Sequence, residues 1–272
     1  MNIWEAVVLG VVQGLTEFLP VSSSGHLVLL QKIFRISDPT LPFTTAVHVG
    51  TLITVLIVLW KDIKGILTRI IQPLTLYLII ATIPTVIVAL LFKDEIEAAF
   101  ETGFFLCPAF LITAVFLLVS DRLYRGGKKS ASGNIPIRTH SQMNWRDALL
   151  IGLLQAVAII PGISRSGATI SAGLSRRLDR DFVARFSFLL SIPTILGALL
   201  FQVKDLLKGD STESLALLPI VVGTLTSCIV AFFSIRLTIK LVRERSLWGF
   251  AAYTSILGIL VLTDQIGLRL LS

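Results

Sequence analysis

Long apolar runs separated by short charged segments dominate the pattern along this chain. A helix needs about 20 apolar residues to cross the hydrocarbon core of a bilayer. Six runs come close to that length and are bounded by charged residues: 42–60, 74–92, 104–120, 183–203, 216–235 and 248–268. The pattern therefore predicts six transmembrane helices.

Two further apolar segments, 3–30 and 147–174, are interrupted by clusters of proline, glycine and serine. Backbone that leaves the helix at membrane depth is tolerated only where it is buried in protein or lines a wet cavity. We therefore interpret each segment as a re-entrant hairpin, in which a helix, a break and a second helix enter and leave on one face of the membrane.

The two interrupted segments also resemble each other. A shift of 142 residues superimposes Gly10 on Gly152, Gln13 on Gln155, Ser22 on Ser164, Ser24 on Ser166 and Gly25 on Gly167. The chain then divides into a first repeat, 1–120, a basic cytoplasmic loop, 121–146, and a second repeat, 147–272. Each repeat holds one hairpin and three spans. Because three is an odd number, the second copy is expected upside down, as in inverted-topology repeats whose broken helices meet near the midplane.

Charge between the spans predicts the orientation of the chain. Lysine and arginine concentrate in 61–73, 121–146 and 236–245, whereas 93–103 is mainly acidic. Cytoplasmic loops carry the excess of lysine and arginine. The segments 93–103 and 204–215 are then expected on the outer face, together with both termini. The first hairpin would enter from outside, and the second from the cytoplasm.

Composition agrees with an all-α polytopic membrane protein. Hydrophobic residues make up 54% of the chain and charged residues 15%, against about 45–50% and about 25% in soluble domains. The first twenty residues lack a basic region and a small-residue cleavage site, so no removable signal peptide is expected. The two cysteines, Cys107 and Cys228, lie in apolar runs and are interpreted as buried hydrophobes rather than as a disulfide.

Reactive polar groups concentrate in 13–26, inside one of the most apolar parts of the chain. Polar groups at membrane depth are functional candidates, because leaving them unpaired in hydrocarbon costs several kcal/mol each. Glu17 follows Gln13 by four residues, so both side chains project from one helix face. Glu17 could orient His26, or it could bind a divalent cation. A serine activated by His26 is one candidate nucleophile, and His26 itself is another.

Structural roles remain open for several of these groups. Ser22 or Ser23 is suited to cap the helix that runs through His26, and His26 could be a buried histidine whose hydrogen bonds are satisfied. His48 lies within the predicted span 42–60. For His48 a packing hydrogen bond is at least as reasonable as a place facing a cavity.

The segment 161–169 places a guanidinium, that of Arg165, in an apolar hairpin. A buried arginine needs an anionic partner, which could be Glu17 or a ligand. Arginine binds phosphate with two parallel hydrogen bonds, and the first N–H groups of a helix favour an anion. Three hydroxyl groups flank the arginine: those of Ser164, Ser166 and Thr169. The segment predicts a phosphate cradle, and an ion pair with Glu17 that joins the two hairpins is the structural alternative.

Together, 13–26 and 161–169 resemble the two signature motifs of the bacterial undecaprenyl-diphosphate phosphatases, the bacitracin-resistance family. The resemblance extends over the whole chain. It implies removal of the terminal phosphate from undecaprenyl diphosphate, which regenerates the monophosphate carrier of peptidoglycan synthesis and confers bacitracin resistance. It also implies the bacterial cell membrane, an active site open to the outer face, and a divalent cation, Mg²⁺ or Ca²⁺, without an organic cofactor.

The resemblance also implies residue roles. Glu17 corresponds to the essential carboxylate and cation ligand, Ser23 to the nucleophile, His26 to the catalytic histidine and Arg165 to the phosphate-binding arginine. The expected substrate-binding residues are Gln13, Ser22, Ser24, Ser164, Ser166 and Thr169. Many members have glutamate where this chain has Gln13. Because an amide carries no charge, Glu17 and the substrate phosphates are expected to hold the ion here.

Two other classes of function stay open at this stage. Inverted repeats with broken helices are typical of secondary transporters, and a transporter or flippase of polyprenyl phosphate would move its substrate without hydrolysis. A non-catalytic membrane subunit would bind anionic lipid only. The expected partners are undecaprenyl diphosphate and the lipid bilayer. A homodimer is compatible with the sequence, and no nucleic-acid partner is expected.

Overall fold

The computed structural model describes residues 1–36, 41–102, 105–126, 136–207 and 217–268, and within these ranges it contains helices and no β-strand. The α-helices are α1 (Ile3–Thr16), α2 (Ser23–Ile33), α3 (Leu41–Val58), α4 (Trp60–Thr68), α5 (Pro73–Leu91), α6 (Lys93–Thr102), α7 (Leu106–Gly126), α8 (Trp145–Val157), α9 (Arg165–Ser175), α10 (Arg180–Leu207), α11 (Leu217–Glu244) and α12 (Trp248–Thr263). The predicted all-α fold is confirmed. Predictions that concern 127–135, 208–215 and the last four residues lie outside the described ranges.

Five of the described helices are long and apolar enough to cross a membrane: α5, α7, α10, α11 and α12. The pair α3 and α4 passes the same test as one span but is bent by 75° at Leu59. The helix turns there because α4 is amphipathic, with Trp60, Lys61, Asp62 and Lys64 in its first turns, and such a helix favours the membrane surface. The described residues therefore give five or six spans where six were predicted.

Two predicted connecting segments are helical. The acidic segment 93–103 is helical over its described residues, as α6, and α11 continues through most of the basic segment 236–245. Arginine, lysine and glutamate have high helix propensity, so charge alone does not end a helix.

Both interrupted segments form a helix, a break and a second helix. In the first, α1 and α2 flank the break 17–22, and in the second, α8 and α9 flank the break 158–164. Both hairpins begin with the same helix-capping motif, a capping box. Asn2 pairs with Glu5 in the first hairpin, and Asn144 pairs with Asp147 in the second. These two pairs are separated by the same 142 residues as the matched motifs. The inverted orientation of the second copy stays a prediction.

Glycines let each hairpin approach a long helix closely. A Cβ atom on Gly10 would lie 2.6 Å from the Gly223 carbonyl oxygen of α11, and one on Gly14 would lie 2.7 Å from that of Ser227. In the second hairpin, a Cβ on Gly152 would lie 2.5 Å from the Ala81 oxygen of α5. Small residues at such contacts are typical of helix pairs in membranes.

The second hairpin lies at the centre of the molecule. Every residue of α9 from Ser166 to Leu174 is buried. At the other end of this hairpin, Asp147 is fully buried between Arg138 and Arg176, with oxygen–nitrogen distances of 2.7 Å to each. The fold therefore buries the first break apart from the half-buried Leu19, and it buries 161–164 of the second break, as backbone at membrane depth requires.

Candidate active site

The two breaks pack against each other through matching contacts. The Gly162 N–H donates to Ser24 Oγ at 3.4 Å, and Ser166 Oγ donates to the Leu19 carbonyl at 3.0 Å. Ser22 caps α2 by accepting from the Gly25 N–H, and the matched Ser164 caps α9 by accepting from that of Gly167. The predicted capping role is thus confirmed for Ser22.

Ser22 has a φ of +72°, in the left-handed region that non-glycine residues avoid. Such a conformation costs about 1–3 kcal/mol and persists only when the surroundings hold it. Here the helix cap and the contacts between the breaks hold it. The neighbouring Ser23 therefore begins α2 in a defined position.

Glu17 is the hub of the polar cluster, with 5% of its surface exposed. Its Oε1 accepts from Arg165 Nη2 at 2.9 Å, and its Oε2 accepts from Gln13 Nε2 at 2.9 Å and from Ser23 Oγ at 2.7 Å. The predicted ion pair between the hairpins is therefore confirmed. The carboxylate contacts the candidate nucleophile and the candidate phosphate ligand at the same time.

Arg165 has hydrogen-bond donors to spare. In the described structure its Nη1 donates to the Ser187 carbonyl at 3.2 Å and its Nη2 to Glu17, and a guanidinium has five N–H groups. Thr169 lies behind the arginine, where its hydroxyl donates to the Arg165 carbonyl at 2.9 Å and shares a hydrogen bond of 2.6 Å with Ser187 Oγ. The remaining donors of Arg165 are available to an anion in the adjacent cavity.

That cavity has a volume of about 370 Å³. Its polar wall contains Glu17, Ser22, Ser23, Ser24, Ser164, Arg165 and His48. A second cavity of about 350 Å³ shares Arg165 and Phe100 with it and continues between α5 and α10, past Val86 and Gly197. Val86 is 45% exposed on the outside of the helices. Together the two cavities connect the polar cluster with the apolar surface of the protein.

Four of the predicted site residues line neither cavity: His26, whose contacts are described below, and three residues that are buried behind the polar wall. Gln13, Ser166 and Thr169 are each at most 1% exposed and lie behind the polar wall. Their hydrogen bonds position Glu17, the first break and Arg165, respectively. They act on the cavity through those neighbours.

His26 faces away from Ser23. Its Nδ1 lies 2.6 Å from the Ser22 carbonyl oxygen, and its Nε2 lies 2.6 Å from the Tyr253 hydroxyl, whose ring stacks on the imidazole. The group that contacts the Ser23 hydroxyl is Glu17. The catalytic role of His26 stays a prediction, and the structure does not place it as the partner of Ser23.

Sequence reasoning missed two contacts of the cluster. His48 Nε2 lies 3.5 Å from Glu17 Oε2, and Tyr253 is the partner of His26. His48 had a usable signal, because Thr44, His48 and Thr51 recur at spacings of four and three residues and so share one face of α3. Tyr253 had no such signal, since it lies 227 residues from His26.

The donor set around Glu17 fits a divalent cation that binds partly through its substrate. No group of three or more His, Cys, Asp or Glu side chains suited to a metal occurs among the described residues. Gln13 Oε1 is buried and has no hydrogen-bond partner in the described part of the chain. The Glu17 carboxylate and the serine hydroxyls beside it are oxygen donors of the kind that Mg²⁺ and Ca²⁺ use, whereas Gln13 presents its amide nitrogen to Glu17. A cation here would depend on substrate phosphates for further ligands.

Comparison with known proteins relates the whole chain to one family. Residues 6–260 match the family described as "Bacitracin resistance protein BacA". The chain is 42% identical over 265 residues to "Undecaprenyl-diphosphatase 4" of Bacillus thuringiensis subsp. konkukian (strain 97-27), covering 97% of this chain and 98% of the relative. It is 41% identical over 266 residues to "Undecaprenyl-diphosphatase" of Carboxydothermus hydrogenoformans, with the same coverage. The protein of that name from Methanosphaera stadtmanae is 39% identical over 284 residues, covering 96% and 98%.

Proposed function

The chain belongs to the bacitracin resistance protein BacA family, and from that premise we propose that it hydrolyses undecaprenyl diphosphate to undecaprenyl phosphate and phosphate. Relatives named as diphosphatases match over 97% of the chain. One observation of the structure carries the proposal: Glu17 contacts both Ser23 and Arg165 beside a cavity where two helix breaks meet. The activity recycles the lipid carrier of peptidoglycan synthesis and confers bacitracin resistance. Transport of polyprenyl phosphate without hydrolysis is not favoured, since the full-length relatives are named as hydrolytic enzymes.

Substrate binding follows from the two connected cavities. The terminal phosphate lies against the spare N–H groups of Arg165 and the hydroxyls of Ser24 and Ser164, near the first turn of α9. The isoprenoid tail follows the second cavity between α5 and α10, where apolar residues such as Val86 reach the surface. The substrate therefore reaches the site from within the bilayer.

In the proposed chemistry Glu17, rather than the expected His26, takes the proton of Ser23. Ser23 Oγ forms a bond to the terminal phosphorus while the bond from phosphorus to the bridging oxygen breaks, which releases undecaprenyl phosphate. Glu17 Oε2, 2.7 Å from Ser23 Oγ, accepts the serine proton. Water then attacks the phosphoserine and releases phosphate. The alternative, attack by His26 or by a water that it activates, requires His26 to leave Tyr253.

Electrostatic stabilisation supplies most of the rate in phosphoryl transfer. Arg165 carries the fixed positive charge of the cavity and is held in place by Glu17 and by the Ser187 carbonyl. Mg²⁺ or Ca²⁺ at Glu17 would neutralise charge on the phosphates. No organic cofactor is needed for this chemistry.

The setting of the enzyme is also part of the proposal. It is a multi-pass protein of the bacterial cell membrane, with the active site open to the outer face and both termini outside. The excess of lysine and arginine in 61–73, 121–146 and 236–245 supports this orientation. A homodimer remains compatible with it.

The test is phosphate release from a long-chain isoprenyl diphosphate in detergent micelles, with and without chelator. We expect cation-dependent release by the parent protein and a loss of about a thousandfold in Ser23→Ala. Ser141→Ala, in an exposed turn before α8, is the matched control and should retain activity. No release by the parent protein with any cation would contradict the proposed function. If Ser23→Ala keeps full phosphate release and His26→Ala loses it, the histidine rather than the serine is the nucleophile.

A further inference from the structure

His48 presents a defined nitrogen atom to the cavity. Its Nδ1 lies 2.7 Å from the Thr44 carbonyl oxygen, one turn earlier on α3. A carbonyl only accepts hydrogen bonds, so Nδ1 carries a proton and donates. The other nitrogen, Nε2, lies 3.5 Å from Glu17 Oε2 in the polar wall of the cavity.

This arrangement brings two electron-rich atoms together. In a neutral imidazole that is protonated on Nδ1, Nε2 has a lone pair. That lone pair lies close to a carboxylate oxygen, which has lone pairs of its own. The contact is favourable only when a positive species lies between the two atoms, either a proton on Nε2 or a metal ion. Metal-binding histidines typically donate their other N–H to a backbone carbonyl, as His48 does to Thr44.

Among the described residues that line this cavity, Glu17 is the only carboxylate. Gln13, which contacts the same oxygen of Glu17, carries no charge, and its own amide oxygen has no partner in the described structure. Metal–nitrogen and metal–oxygen bonds of about 2.1 Å allow one ion to contact donors that lie 3.5 Å apart. The pair formed by His48 and Glu17 therefore has the spacing for a shared ion, which would share Glu17 Oε2 with the hydrogen bonds from Gln13 and Ser23.

We propose that His48 is a protein ligand of the divalent cation, binding through Nε2 beside Glu17. The proposal rests on the proposed function for its cation but concerns a residue that the two signature segments, 13–26 and 161–169, do not contain. An imidazole ligand favours Mn²⁺, Co²⁺ or Zn²⁺ over Ca²⁺, because calcium prefers oxygen donors. The cation preference of this chain is therefore set partly on α3.

The experiment measures metal binding directly, with Mn²⁺ as the probe. The purified full-length protein is stripped with chelator and titrated with Mn²⁺, and free Mn²⁺ is quantified by electron paramagnetic resonance. Pulsed measurements on the bound ion then detect magnetic coupling to a ¹⁴N nucleus of an imidazole ligand. The chain has three histidines, so His26→Gln, His48→Gln and His140→Gln form a complete set. His140 lies exposed in the turn before α8 and is the matched control.

We expect ¹⁴N coupling in the parent, His26→Gln and His140→Gln proteins and its loss in His48→Gln. Mn²⁺ affinity should fall about tenfold or more in His48→Gln alone. His48→Glu guards against a folding defect: it should bind Mn²⁺ without ¹⁴N coupling and gain affinity for Ca²⁺ relative to the parent.

Three results would overturn the proposal: no Mn²⁺ binding by the parent protein, coupling that persists in His48→Gln, or coupling that is lost in His26→Gln instead. Phosphate release is measured on the same samples. A parent protein that shows histidine-dependent Mn²⁺ binding but releases no phosphate would contradict the proposed function and leave the ligand assignment standing. If His48→Gln still releases phosphate and binds Mn²⁺ as the parent protein does, the ligand assignment is contradicted and the proposed function stands.

Discussion

Replacement of Arg165 by glutamine separates its two roles, in stability and in catalysis. The substitution keeps a polar side chain of moderate length but removes the positive charge. Glu17, 5% exposed, then loses the guanidinium at 2.9 Å. The variant therefore leaves the buried Glu17 carboxylate without its charged partner. It also leaves the cavity without the positive charge of the guanidinium.

The size of the stability loss follows from the partners that remain. Removing one member of a buried ion pair costs about 3–5 kcal/mol. Glu17 keeps hydrogen bonds from Gln13 and Ser23, and its neighbour His48 remains nearby, so the lower end, about 3 kcal/mol, applies. For a domain of about 150–250 residues this corresponds to a fall of about 6–12 °C in the unfolding midpoint. Phosphate release should fall about a thousandfold, as when an arginine is removed from a phosphoryl-transfer site.

The assay combines thermal unfolding in detergent micelles with phosphate release, and it uses a double-mutant cycle. Combining Glu17→Gln with Arg165→Gln should recover most of the lost stability, because two neutral amides replace the pair, while activity stays absent. Arg243→Gln, whose ion pair with Glu244 is exposed, is the control for loss of an arginine. If Arg165→Gln has the unfolding midpoint and the phosphate release of the parent protein, both the stabilising and the catalytic role of Arg165 are refuted. A double variant no more stable than the single one would refute the buried-pair argument alone.

Three further changes test the scaffold and the cation. Asp147→Asn should destabilise the protein by about 3 kcal/mol in thermal unfolding, because it leaves two arginines without their buried partner; exposed Glu244→Gln should leave the midpoint unchanged. Gly14→Ala should lower the free energy of unfolding by about 1–3 kcal/mol in thermal unfolding, because the new Cβ would lie 2.7 Å from the backbone of α11. Gly65→Ala is the control and should not destabilise the protein, because a Cβ there meets no atom of another element within 4 Å. Treatment with chelator should abolish phosphate release, and added Mg²⁺ should restore it; release that persists in chelator would contradict a cation at Glu17.

The positions of the spans and breaks were predictable because the bilayer leaves few alternatives. Only hydrogen-bonded helices cross hydrocarbon, so apolar run length locates them. Pro20 lies within the first break, 17–22, whereas Gly25 lies inside α2. The pairing of Glu17 with Arg165 across 148 residues was predictable for a related reason, since two buried opposite charges need each other. Charge did not predict where helices end, as α6 and the end of α11 show.

The directions of His26 and His48 were not predictable in the same way. A histidine can satisfy both nitrogens with many neutral partners, so burial alone does not select one. His26 is held by Tyr253 and the Ser22 carbonyl, and His48 is turned towards Glu17 by the Thr44 carbonyl. Proximity in sequence favoured a serine–histidine pair, whereas the break directs Ser23 towards the carboxylate. Local pattern selects which groups are buried, and the packing of distant helices decides which of them meet.

The site and the fold stabilise each other, and this constrains how the enzyme can lose activity. Neither break completes the cluster alone: Glu17 and Ser23 belong to the first hairpin, and Arg165 to the second. The strained backbone of Ser22 costs about 1–3 kcal/mol and is held by contacts between the breaks. Close packing of Gly10 and Gly14 on α11 positions the first hairpin, and burial of α9 positions the second. A change that separates the hairpins by about an ångström would lengthen the 2.9 Å contact between Glu17 and Arg165 beyond hydrogen-bond distance, while the hydrogen bonds within each helix stay intact. Substitutions at the glycine contacts should therefore abolish phosphate release at temperatures where the helices are still intact.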